Sequence, residues 1–344
     1  MDLVPEVLDG NRLALARLLT QVENDTRQGR QALEGLFPFT GRAHLIGVTG
    51  SPGTGKSSLV NQIARAYRLS EGGSGRRRSG PLRVAIVAVD PTSPFSGGAI
   101  LGDRVRMKDL SGDTGVFIRS CATRGSLGGL TRTTTGLVQV FDAAGYDVVL
   151  IETVGAGQAE VDIARLAHTT LVIEAPGMGD DIQAIKAGIL EIADILVINK
   201  ADRPGIEATE RALRSMLQLA HPVPHVFQHH GKFELVDSDY QTPLDAELWE
   251  TPIQRTVATD GVGTDDLMAA IDRHYTYLRD SGEWGRREQA RLQAELEGLL
   301  QASLLERWRA KVSGDRYSDV LQTVVQRQIS PWQAVTLLVN SNTG

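Results

Sequence analysis

HLIGVTGSPGTGKSSLVNQIARAYRL, residues 44–69, decides the fold. It opens with a short apolar run, passes through GSPGTGKS at Gly50–Ser57, and continues with helical spacing. The middle segment matches G-x-x-x-x-G-K-[ST] in the strand–loop–helix context that motif requires. Its glycines let the backbone curl until successive N–H groups point inward at phosphate oxygens, at a helix N-terminus whose dipole favours anions. Gly50, Ser51, Pro52, Gly53, Thr54, Gly55, Lys56, Ser57 and Ser58 form this candidate phosphate nest. Lys56 is placed for the β- and γ-phosphates and the Ser57 hydroxyl for Mg²⁺, so a nucleoside di- or triphosphate is the expected ligand.

Working outward, short apolar runs alternate with helix-like segments. RVAIVAV (83–89), GVFI (115–118), DVVLIE (147–152), TTLVIEA (169–175), DILVIN (194–199), PVPHVF (222–227) and PIQRTVA (252–258) join residues 44–49 as candidate strands. Several are apolar on both faces, which suits a mostly parallel sheet covered by helices on each side. The expected class is therefore α/β, a doubly wound P-loop NTPase. Residues 1–40 read as an N-terminal helical segment with Leu13, Leu15, Ala16, Leu18 and Leu19 on its apolar face. Residues 41–282 read as the nucleotide domain and 283–344 as a C-terminal helical arm. In that arm Leu292, Leu296, Leu300, Leu304, Trp308 and Val312 recur every four residues, flanked by Leu299 and Leu305. Such a stripe either packs on its own sheet or pairs with another subunit. SEGGSGRRRSG (70–80) reads as a surface loop.

Three further segments complete the nucleotide chemistry. Asp90 ends one candidate strand, and Glu152 ends another and opens E-T-V-G at Glu152–Gly155; either carboxylate, with Asp103 in the Gly-rich stretch 91–107, is a candidate Mg²⁺ anchor. Gly155 is placed to sense the γ-phosphate, and Gln158 in the loop that follows is the nearest candidate for orienting the attacking water. Asn199-Lys200-Ala201-Asp202 follows an apolar strand as N-K-x-D. The Asp202 carboxylate suits guanine, which offers N1–H and the exocyclic amine together, a pair adenine lacks. Asn199 braces the loop, and the stem of Lys200 lies along the purine. A third base-side loop is expected at Val257-Ala258-Thr259.

Composition bounds the rest. The 344 residues are 41% hydrophobic and 23% charged, with a net charge of −6 that argues against a general nucleic-acid binder. The lone cysteine, Cys121, excludes an internal disulfide. No apolar run reaches membrane-spanning length, and the first residues have neither a signal peptide's core nor a transit peptide's character, so a cytoplasmic protein is expected. Of 36 basic residues only six are lysines, and two of these, Lys56 and Lys200, sit in the motifs above.

Beyond these motifs, GNRLALARLLTQVEN (10–24), VDPTSPFSGGAILGDRVRM (89–107), ETVGAGQAEVDIA (152–164) and PGMGDDIQAIKAGILEIADILVINKAD (176–202) resemble the MeaB/ArgK/MMAA GTPases. The resemblance runs from about residue 8 to 311. It implies a slow GTPase that binds GTP/GDP and Mg²⁺ and forms a homodimer through a C-terminal helical arm. It implies a partner, an adenosylcobalamin-dependent acyl-CoA mutase such as methylmalonyl-CoA mutase, whose cofactor delivery it gates and whose activity it protects. Within PGMGDDIQAIK (176–186), Asp180, Gln183 and Lys186 match an additional switch in that family. The same residues read on their own as ordinary capping of a helix N-terminus. Two other classes fit a P-loop: a metal-insertion GTPase, hinted at by His229-His230, and a kinase or ATPase, for which no acceptor pocket or base is visible.

Overall fold

The computed structural model describes residues 2–69, 81–91, 110, 112–123, 132–153, 159–177, 191–219 and 248–340. Contacts divide the chain into Met1–Glu288 and Gln289–Gly344.

In the first unit, β1 (His44–Thr49), β2 (Val84–Pro91), β3 (Val116–Thr123), β4 (Val148–Thr153), β5 (Thr169–Glu174), β6 (Ile195–Asn199) and β7 (Ile253–Thr256) form one sheet in the order β3-β2-β4-β1-β5-β6-β7. Every pairing is parallel, as the apolar runs imply. Alternation sorts each strand between two cores. Val84 and Ile86, Val148 and Leu150, Ile46 and Val48 face one; Ala85, Val87, Val149, Ile151 and Leu45 face the other.

The first face is covered by α4 (Lys56–Leu69), which buries Leu59, Val60, Ile63, Ala64 and Tyr67 at helical spacing, and by Leu267, Ala270 and Ile271 of α8 (Thr264–Asp280). Across the sheet lie α1 (Val4–Leu8), α2 (Arg12–Glu23), α3 (Arg27–Leu36) and α5 (Arg132–Ala143). In α2 the buried stripe is Leu15, Leu18, Leu19 and Val22, while Leu13 is 60% exposed and lies off the face expected for it. The side chain of Asn11 caps α2 by accepting from the Leu13 and Ala14 N–H groups. Two further described helices of this unit are α6 (Ala159–Leu166) and α7 (Ile206–Leu219).

β3 is longer than its apolar run 115–118, because Arg119–Thr123 continue in register beside Val87–Pro91. These residues lie on an edge strand, and Arg119 turns to Glu23 and Thr20 of α2. The candidate strand 222–227, the loop 70–80 and His229-His230 lie outside the described residues.

Beneath the N-terminal ends of β1, β5 and β6 is a buried polar cluster. The Thr169 hydroxyl bridges His44 Nε2 (2.7 Å) and His274 Nδ1 (2.9 Å). Asp194 accepts from the Thr170 N–H (2.8 Å) and takes both prongs of Arg287 at 2.8 Å, with His274 Nε2 3.3 Å away. Burial alone would raise the Asp194 carboxyl, but the Arg287 charge and then His274 outweigh it and hold the group well below the usual carboxylate range.

The second unit holds most of α9 (Glu283–Lys311), with α10 (Gly314–Val325) and α11 (Pro331–Asn340). The Trp308 indole N–H donates to the Leu338 carbonyl at 3.1 Å. Leu296, Leu299, Leu300, Leu304 and Leu305 of the predicted stripe are 42–67% exposed. Among the described residues no helix is long and apolar enough to cross a membrane.

Candidate nucleotide-binding site

The phosphate loop, residues 50–55, leaves the C-terminal end of β1, between β4 and β5, and enters α4 at Lys56. Two glycines are required by geometry. Gly50 has φ +130°, and a Cβ there would lie 2.0 Å from the Ile173 carbonyl oxygen, because the loop abuts the end of β5. Gly55 has φ +92°, and its Cβ would lie 2.5 Å from the Asn199 amide nitrogen. Lys56 is buried, and its ammonium donates to the Gly50 and Ser51 carbonyls at 2.8 and 2.9 Å. The Thr54 hydroxyl also donates to the Ser51 carbonyl, at 2.9 Å. Pro52 and Gly53 are exposed at the loop's tip, and Ser58 follows Ser57 in the first turn of α4.

On the β4 side, Glu152 is buried, and its Oε1 accepts from the Ser57 hydroxyl at 2.5 Å. The pair predicted to face a cation is thus assembled from segments 95 residues apart. Hydroxyl and carboxylate oxygens are hard donors of the kind Mg²⁺ takes.

On the base side, Asn199 ends β6 and joins three loops. Its amide donates to the Thr54 carbonyl (2.8 Å), and its Oδ1 accepts from the Thr256 hydroxyl (3.1 Å) and the Ala258 N–H (3.0 Å). Lys200 takes a left-handed φ of +58° and reaches back to donate to the Gly53 carbonyl at 2.5 Å, so its stem forms a wall between phosphate and base loops. Asp202 stands exposed beyond it. At the third loop Val257 pairs with Val262, Ala258 is held at both backbone atoms, and Thr259 is exposed. Ala258 and Asn199 are directly bonded, which brings the two base-side segments together.

Other candidates are placed less fully. Asp90 is the next-to-last residue of β2, paired with Ala122, its side chain outside the described residues. Asp103, Gly155, Gln158, Asp180, Gln183 and Lys186 also lie outside them. Sequence reading missed Gln62, which donates to the Ala258 carbonyl at 2.9 Å, and Glu174, which is buried at the end of β5 with Oε1 3.5 Å from the Ser51 hydroxyl. Glu174 had a visible signal: like Glu152, it is a carboxylate closing an otherwise buried strand.

Known proteins resemble this chain in sequence and in fold. Residues 15–313 match the family described as "Methylmalonyl Co-A mutase-associated GTPase MeaB". A putative GTPase of Pyrococcus horikoshii is 39% identical over 343 residues, covering 100% of this chain and 98% of that protein. "GTPase ArgK" of Escherichia coli is 34% identical over 330 residues, 94% of this chain and 90% of that one. A crystal structure titled "LAO/AO transport system kinase" superposes with a TM-score of 0.67 at 25% identity, covering 99% of this chain and 97% of the other. A seven-stranded parallel sheet, a closed phosphate nest and a base loop tied to it accompany a family match across most of the sequence, and the chain belongs to the MeaB family of GTPases.

Proposed function

We propose that this GTPase is a nucleotide-driven chaperone of an adenosylcobalamin-dependent acyl-CoA mutase, methylmalonyl-CoA mutase in the first instance, gating cofactor delivery and protecting the mutase. The observation that carries this reading is the match to a mutase-associated GTPase family over residues 15–313. The reading assigns Lys56 and the backbone amides of residues 50–58 to the phosphates, and Asn199, Lys200 and Asp202 to guanine. Residues 257–259 close the base side through their backbone.

Ser57 and Glu152 would hold Mg²⁺ with Asp90 and Asp103, and the ion would neutralise charge on the phosphates. Hydrolysis needs positioning, charge neutralisation and an oriented water. Lys56 supplies charge and Gln158 is the candidate for the water. A slow enzyme that a partner completes is what the family resemblance implies. The exposed leucines of α9 fit the homodimer contact that the family resemblance implies.

Two measurements test the reading. GTP hydrolysis should rise about tenfold or more on adding the mutase with its cofactor. No change over a wide range of mutase concentration refutes the partnership. For the base assignment, Asp202→Asn should lower the preference for GTP over ATP by about 10²-fold, since it turns one acceptor of a charge-assisted pair into a donor facing the guanine N–H groups. Competition binding of the two nucleotides reads this directly, and unchanged discrimination removes Asp202 from the site.

A further inference from the structure

α4 opens with the lysine of the phosphate loop and, further along, carries Gln62, whose side-chain amide reaches the base side of the cleft. It donates to the Ala258 carbonyl at 2.9 Å. The same residue, Ala258, gives its N–H to Asn199 Oδ1 at 3.0 Å. A loop residue only 4% exposed is thus gripped from α4 at one backbone atom and from the end of β6 at the other. Asn199 belongs to the N-K-x-D motif, whereas the nucleotide chemistry above gives Gln62 no part.

The grip falls on the middle of a tight turn. The Asp260 N–H donates to the Val257 carbonyl at 3.0 Å, so 257–260 is a β-turn with Ala258 and Thr259 at its corners. Just outside it the Val257 N–H donates to the Val262 carbonyl at 2.9 Å. These bonds fix the ends of the turn and leave its central peptide, Ala258–Thr259, to be oriented by other contacts. That peptide is trans, so its carbonyl and its N–H point in opposite directions. With the carbonyl held by α4, the Thr259 N–H faces the other way. Thr259 is exposed, and its N–H meets no acceptor among the described residues.

We infer that Gln62 is a positioning residue for base selection: by fixing the Ala258 carbonyl it aims the Thr259 N–H at the 6-position of the bound purine. This rests on reading the cleft as a guanine-nucleotide site. Guanine carries an acceptor oxygen at that position, while adenine carries an amine, against which an N–H is left unpaired. Asp202 reads a different edge, the N1–H and the 2-amine. The third loop therefore selects through a peptide that α4 orients, and it needs no polar side chain of its own at residues 257 and 258.

Isothermal titration of GDP, IDP, ADP and pyrophosphate in Mg²⁺ buffer tests this on the full chain. IDP keeps guanine's 6-oxo group and lacks its 2-amine, and pyrophosphate has no base. Gln62→Met keeps the length of the side chain without its donor, and Gln62→Glu puts an acceptor against the carbonyl. In both, Kd for GDP and IDP should rise about tenfold, with ADP and pyrophosphate within about twofold of wild type. Gln62→Lys returns a donor and should bring GDP binding back to within about threefold. All four ligands weakened together overturns the proposal, because a purely structural clamp would do that. A preference for GDP over ADP unchanged within about twofold also overturns it. So does GDP weakened with IDP spared, which places the effect at the 2-amine, and so does a lysine variant as weak as the methionine one. Loss of the folded state in both Gln62→Met and Gln62→Glu, read by thermal unfolding, overturns it in favour of a structural role. Wild-type protein that binds neither GDP nor IDP defeats the guanine-site reading itself, a result separable from all of these.

Discussion

GTP turnover by the Lys56→Ala variant should fall by about 10³-fold or more, with nucleotide binding weakened in parallel. The expectation comes from where the ammonium sits. It is 6% exposed and spans the Gly50 and Ser51 carbonyls, so in the structure it holds the loop curled around its own charge. A phosphate entering the nest exchanges those carbonyls for anionic oxygens around a cation that is already in place and already desolvated. Alanine removes the only lysine of the loop and leaves the amides to bind phosphate by dipoles alone. Folding should suffer far less. Two carbonyls lose a donor, a cost of about 1–3 kcal/mol, and of the two only the Ser51 carbonyl is partly exposed to replacement by water. Single-turnover hydrolysis with a melting curve on the same sample separates the two effects. Turnover within tenfold of wild type would remove Lys56 from the chemistry.

Replacing Asp194 by alanine should cost about 3–5 kcal/mol of stability, a large share of the ~5–15 kcal/mol available to such a fold. The variant strands Arg287, leaves the Thr170 N–H without its acceptor and takes the counter-charge from beside His274. Because the loss is dominated by an uncompensated buried charge, Asp194→Leu combined with Arg287→Leu should recover much of it. The pH dependence has a definite sign. The native carboxyl titrates below its unfolded value of about 3.9, so its contribution is complete above that pH and is lost as pH falls through the native value. The gap between wild type and variant should therefore be full at neutral pH and close in acid below about pH 4. Urea titrations at several pH values measure it, and a gap that is constant down to acid would show that the pair contributes nothing through charge.

The two halves of this molecule differ in how openly the chain announces them. Strands such as residues 148–153 were legible because a parallel sheet covered on both faces demands unbroken apolar runs. The phosphate loop was legible because its geometry tolerates few residue types at Gly50, Gly55 and Lys56. Asn199 was recognised as a brace, but not what it braces, since Thr54 lies 145 residues away. The same obstacle hid the base of the sheet. His44, Thr169, Asp194, His274 and Arg287 look like ordinary polar punctuation at strand and helix ends, and their purpose exists only once five distant segments converge. Leu13 misled for the opposite reason: in a run as rich in leucine as 13–19, hydrophobicity alone does not fix the phase of the helix, and the pattern set by Leu15, Leu18, Leu19 and Val22 does.

Asn199 carries one last implication. By linking Thr54, Thr256 and Ala258 through a single side chain, it makes the purine end of the cleft and the phosphate end one stiff jaw before any ligand arrives. A nucleotide docking there has little backbone to order on that side, so less of its binding energy is spent on freezing the loops that meet the base.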